Sequence, residues 1–288
     1  MKKLLLSVFV LILVTCKKDD NPSIPEAEIP EAEISAVDNP EGLLVVYNIL
    51  SNGNLEVVKD DYTTYTAANE SYQQDQDKHF EMWELVKDIF PEYYLNSLSV
   101  LHIFSAVASE NQYTAYVNFD DDRSKMTLGL AVDFAYFSLF DAQKYFTTTI
   151  IHELAHVISF HPNQYNSTPC DSPFGDENEC LKEDAYSRLF ASEFWTDLFD
   201  DYVNQELDVF YNNNIAQFLN IYSALSPDED FAEIFKQFIV IDPAPTGTTI
   251  PEKKIRFLHA IPALVDLRAS LRDRLTENGT LFLSSVVE

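Results

Sequence analysis

The chain has 288 residues, 47 of them acidic against 19 basic, for a net charge of -28. A surface this negative repels phosphate backbones, which are bound through Lys and Arg, so nucleic acid is excluded as a partner; none of the six glycines stands in a dinucleotide-binding or phosphate-loop pattern. Hydrophobic residues make up 46% of the chain, enough to offset the entropy of ordering it, which excludes an acidic disordered polymer for most of the length.

At the N-terminus, Lys2 and Lys3 precede an apolar run over residues 4–14. The run is too short to span a bilayer and predicts an export signal over residues 1–15. Leu13-Val14-Thr15-Cys16 resembles the bacterial lipobox, with Thr15 where a smaller residue is usual. That resemblance implies lipidation of Cys16 and an outer-membrane lipoprotein facing the cell surface or the periplasm. Residues 16–41 follow as an acidic, Pro-rich tether holding the tandem repeat Ile24-Pro-Glu-Ala-Glu28 and Ile29-Pro-Glu-Ala-Glu33; stiff and self-repelling, it reaches roughly 80 Å when extended. Lys17-Lys18-Asp19-Asp20 resembles the surface-export signal of some lipoproteins and reads equally well as a solvated charge run.

Residues 42–288 contain no second long linker and are expected to form one α+β domain. Apolar spacing predicts a first helix over 73–90, stopped by Pro91. Three strands of one small sheet are expected at 98–106, 113–119 and 126–132, the last an edge strand. A long apolar helix is expected over 141–160, and helices over 179–204, 206–222, 228–241 and 253–275, with the Pro243 to Gly247 segment a loop. Cys170 and Cys180, an even pair in an exported chain, are expected to form a disulfide that contributes ~3 kcal/mol in the chain-entropy model. Trp83 and Trp195 each lie in an amphipathic helix and read as core; the other reading has them gripping a ligand.

The long helix carries His152-Glu153-Leu-Ala-His156, an H-E-x-x-H. Two histidines four apart lie one turn apart on one face, so both imidazoles can reach a single Zn²⁺. Glu153 is placed to hold a metal-activated water and accept its proton, which is the chemistry of peptide hydrolysis. A catalytic zinc needs a third protein ligand. Pro162 and the early His161 do not match the Gly-spaced third histidine of the metzincins. Asp176 and Glu177 stand at a thermolysin-like distance without the flanking pattern and are the runner-up for the third ligand. Further on, Ser226-Pro-Asp-Glu229 combines an N-cap, a first-turn proline and acidic residues, so a helix starts here. It sets Glu229 and Glu233 on one face, where a cation would offset their repulsion.

H-E-x-x-H followed by Tyr222 and then Glu229-Asp-Phe-Ala-Glu233-Ile-Phe235 resembles the catalytic domain of the anthrax-lethal-factor type of zincin. It resembles more closely the substrate-import-associated zinc metallohydrolase lipoproteins, over nearly the whole chain. The gap from His156 to Glu229 is longer than in the lethal-factor type. The resemblance implies a zincin-like fold, a small sheet and motif helix followed by a mainly helical C-terminal half. It also implies His152, His156 and Glu229 as zinc ligands, Glu153 as general base, Tyr222 as a transition-state stabiliser, and Glu233 as a candidate to support a ligand from behind. A peptide or protein substrate is implied as well, with an outer-membrane receptor and a binding lipoprotein of an uptake system as partners. A different class stays open: a non-catalytic zinc-containing binding lipoprotein of such a system.

Overall fold

The computed structural model describes residues 42–62, 66–107, 114–120, 123–136, 140–166 and 180–277. Strand β1 (Leu43–Ile49) and strand β2 (Leu55–Lys59) form an antiparallel hairpin. Its turn passes Gly53 at φ 78°, in the left-handed region that costs a glycine little. Helix α1 (Ala67–Gln74), α2 (Gln76–Ile89) and the short α3 (Glu92–Leu95) follow. Strands β3 (Leu98–Phe104), β4 (Ala115–Phe119) and β5 (Met126–Ala131) complete a five-stranded sheet in the order β2-β1-β3-β5-β4. All its pairs are antiparallel except β3 with β5. Helix α4 (Phe140–Phe160) comes next. A two-residue ladder then joins β6 (Tyr165–Asn166) to β7 (Cys180–Leu181), and six helices close the described chain: α5 (Tyr186–Phe194), α6 (Phe199–Asn204), α7 (Leu207–Asn214), α8 (Pro227–Val240), α9 (Ile250–His259) and α10 (Pro262–Glu277).

This is a mixed α+β architecture, and it corrects the expected elements in several places. The sheet has five strands, not three. The near-continuous apolar run Leu43 to Tyr47 is a strand paired on both sides, so it lacks the alternation that marks a half-exposed one. The single helix expected over 73–90 is two helices meeting at Asp75, which ends α1 and caps α2 by accepting the Lys78 N–H at 3.1 Å. The strand before the motif helix is not at the edge; β5 lies between β3 and β4, and β4 holds the edge. The helical run expected over 179–204 gives way to β7 and then breaks at Trp195. That over 206–222 ends at Asn214, with 3-10 turns beyond. That over 253–275 begins three residues early and is split before Pro262, which cannot continue a hydrogen-bonded helix.

One continuous core joins the sheet to α2, α4, α5, α8, α9 and α10. Trp83 and Trp195 are in it, 2% and 0% exposed, their indole N–H groups donating at 2.8 Å to Gly53 O and Asp230 Oδ2. They are packing residues and not ligand grips. In β5, Gly129 leaves room for the Tyr116 ring of β4, which a Cβ there would meet at 2.2 Å. Cys180 is buried and disulfide-bonded; Cys16 and Cys170 lie outside the described residues. Among the described residues no helix is long and apolar enough to cross a membrane.

Candidate metal centre

Helix α4 is uncharged from residue 154 to 160 because the core surrounds it: Ile150, Ile151, Leu154, Ala155, Val157 and Ile158 are all fully buried. The polar residues His152, Glu153 and His156 are buried with them, as are Thr147 and Ser159. Helix α8 packs against α4 and is registered by its own N-terminus. Ser226 Oγ accepts the Glu229 N–H at 3.1 Å, and Pro227 begins the first turn. The cap fixes the rotational phase of the helix, and with it the direction in which Glu229 and Glu233 point. Burial of Phe231, Phe235 and Phe238, worth roughly 2 to 3 kcal/mol each, holds that phase against the core.

The two helices bring three donors together. His152 Nε2 lies 3.1 Å from His156 Nε2 and 3.0 Å from Glu229 Oε2, and His156 Nε2 lies 3.2 Å from Glu229 Oε1. All three donor groups fall within 4.8 Å of one another. On the other side of its ring, His152 Nδ1 stands 3.0 Å from Glu233 Oε1. A carboxylate only accepts, so Nδ1 carries a proton and donates, and Nε2 is the nitrogen left to hold either a second proton or a metal ion toward His156 and Glu229. A lone pair facing a carboxylate at hydrogen-bond distance requires a positive centre between them, either a proton or a metal ion. Two imidazoles and one carboxylate are a zinc donor set, and ligands at zinc distances around a tetrahedron stand about 3.3 Å apart, so the residues fit the ion.

The electrostatics agree. Burial by itself would push the His152 imidazole down, yet the Glu229 and Glu233 carboxylates hold it at about 10, so the site favours positive charge. Burial would raise the Glu229 carboxyl, but the His156 and His152 imidazoles hold it well below the usual carboxylate range. Glu153 goes the other way: burial lifts its carboxyl, with the imidazoles opposing. Its Oε2 has no hydrogen-bond partner among the described residues, and neither has His156 Nδ1.

The structure brings His152, Glu153, His156, Glu229 and Glu233 into one site. Tyr222 joins them: it opens the 3-10 turn Tyr222–Ala224, ahead of α8, and its ring centroid is 5.6 Å from that of His152. Asp176 and Glu177 lie outside the described residues. His161 is turned to the aromatic pair Tyr93 and Tyr94 instead. Sequence reasoning missed two partners of Glu233. Lys236 Nζ donates to Oε1 and Asn220 Nδ2 donates to Oε2 at 2.9 Å. The i, i+3 spacing of Glu233 and Lys236 was a readable signal; nothing local to Asn220 marks it. It also missed Phe160, whose ring stacks on His156 at 5.4 Å. Comparison with protein-family models, with curated proteins and with solved structures returns no match for this chain.

Proposed function

We propose that the chain is a zinc metallopeptidase of zincin architecture, exported and held to the outer membrane by a lipid on Cys16, that hydrolyses peptide bonds with Glu153 as general base. The observation that carries this reading is the convergence of His152, His156 and Glu229 beside the unpartnered carboxylate oxygen of Glu153. Bound there, Zn²⁺ would act as a Lewis acid and bring the pKa of a water to near neutrality. The rest falls to the chain's own groups. Glu153, withdrawn from water, accepts the proton of the attacking water and returns it to the leaving amine. Glu233 fixes the His152 tautomer and ring angle. The Tyr222 phenol O–H, carried beside His152, donates to the oxygen on which negative charge grows, an interaction stronger in the transition state than in the ground state.

The substrate class is a peptide or protein, and the resemblance of the two motifs to the import-associated lipoproteins supports a place beside an uptake receptor. The test uses purified protein and a self-quenched, fluorescently labelled denatured protein as substrate. One zinc per chain and hydrolysis that a chelator abolishes and zinc restores are expected. Absence of stoichiometric zinc rejects the centre. Stoichiometric zinc without hydrolysis rejects the peptidase and leaves the zinc-containing binding lipoprotein. Mass analysis of the exported chain checks the lipid on Cys16.

A further inference from the structure

Glu233 takes donors on both oxygens, His152 Nδ1 and Lys236 Nζ on one and Asn220 Nδ2 on the other. The second half of the Asn220 amide turns away from the metal centre. Its Oδ1 accepts the Ser223 N–H at 2.8 Å and the Ser223 hydroxyl at 3.2 Å. This orientation has no alternative, because a backbone N–H only donates and a carboxylate only accepts: the oxygen must face Ser223 and the NH₂ must face Glu233. One half-exposed side chain therefore links the carboxylate that orients His152 to the turn that carries Tyr222.

We infer that Asn220 is a positioning residue that couples occupancy of the metal centre to the placement of the Tyr222 turn. The inference rests on the metal reading above. When His152 Nε2 is engaged by a cation, the ring is fixed in place and its Nδ1–H holds Glu233 Oε1 in one orientation. With Glu233 held in one orientation, its opposite oxygen meets the Asn220 amide at a fixed place, and the Asn220 oxygen meets Ser223. Coupling of this kind is reciprocal, so the ordered turn in turn favours the occupied centre. The purely local role of Asn220 is to close its own turn, side chain to backbone three residues on. A local turn would be indifferent to the metal.

The experiment is amide hydrogen exchange at Ser223 in the full chain, with Zn²⁺ and after its removal by a chelator, alongside a zinc titration. The expected result is exchange at least ~5-fold slower with zinc, the lower end of measured site-to-site couplings. In Asn220→Ala the exchange should be fast and the same in both conditions. Asn220→Asp keeps the acceptor for Ser223 and loses the donor to Glu233, so it should retain basal protection and lose the zinc dependence; it also serves if the alanine variant does not fold. Two outcomes overturn the coupling: unaltered chain that binds zinc with no change in Ser223 exchange, or zinc-linked slowing that survives in Asn220→Asp. A chain that takes up no zinc fails in the titration, and there the metal centre falls together with the coupling built on it.

Discussion

On one side of α8, Glu229 and Glu233 meet the two imidazoles of α4; on the other, the very next residue, Asp230, meets the ammonium of Lys254 on α9. Both sides withdraw carboxylates from water, which costs several kcal/mol per ion unless positive charge is supplied. On the α9 side the chain supplies its own. Lys254 is fully buried, donates to Asp230 and to Gln217 O at 2.7 Å, and lies 4.8 Å from the centre of the Phe218 ring. Burial still pushes the Asp230 carboxyl up, to about 6, and the Lys254 ammonium down, against their mutual attraction. On the α4 side Lys236 reaches Glu233, while Glu229 meets only ring nitrogens among the described residues. The first arrangement is closed and pins a helix; the second gathers three groups that could hold a cation. Adjacent residues serve the two roles because consecutive positions on a helix point about 100° apart.

The sharpest way to separate the two sides is to remove chemistry from one and charge from the other. Glu153→Gln should keep one zinc per chain and lose ~10² to 10⁴ of turnover, since it removes only the proton acceptor; retained turnover takes Glu153 out of the mechanism. On the α9 side Lys254→Met leaves Asp230 buried beside Trp195 alone, and should lower unfolding free energy by ~3 to 5 kcal/mol in a denaturant titration. Adding Asp230→Leu should restore most of that loss. Equal stability of the single and double variants would show that the pair does not pin α8.

Tyr222→Phe keeps the ring against His152 and removes the hydroxyl, so turnover should fall ~10² with zinc content unchanged. Unchanged turnover returns Tyr222 to packing. Glu233→Ala should weaken zinc ~10- to 100-fold in a competition titration with a chelator, and Glu229→Ala more than that. The reverse ranking moves the third ligand one turn along α8.

An exposed acid at the far end of the same helix sets the lower bound. Asp242, 54% exposed, meets Arg268 at 3.1 Å and Arg272 at 3.4 Å, and these arginines also cap the last carbonyls of α8. The Arg268 hydrogen bond lowers the Asp242 carboxyl below its ordinary value of 3.8. Its contribution to stability is therefore fully present above that value and is lost as pH falls through the lowered one. Solvent screens the pair, so Asp242→Asn should cost no more than about 1 kcal/mol at neutral pH and progressively less as the pH falls below 3.8. A larger loss would mean that the arginines hold α8 through Asp242 and not through its carbonyls.

Much of the site was legible because its parts are local. H-E-x-x-H declares its face by helical spacing alone, and the motif helix differs from expectation by one residue at its start. Ser226-Pro227 announces a helix start, and the cap alone is enough to place Glu229 and Glu233 on one face. The hairpin at the N-terminus was missed although Asn52-Gly53 marks its turn, because a run such as Leu43 to Tyr47 is compatible with strand or buried helix until its partners are known. Asp75 was read through as helix because one residue ends one helix and caps the next.

By itself the sequence determined which residues could carry chemistry and on which faces of which helices they stand, because spacing, caps and apolar period act within a few residues. Which carboxylates meet which imidazoles was decided only by the tertiary structure. His152 pairs with Glu229 and Glu233 across 77 and 81 residues, and Asp230 with Lys254 across 24. Asn220 gains its place from two elements at once, its own turn and α8. Contacts of that range follow from how α8 is wedged between α4 and α9, and that placement comes from burial summed over the whole core, which no short window of residues encodes.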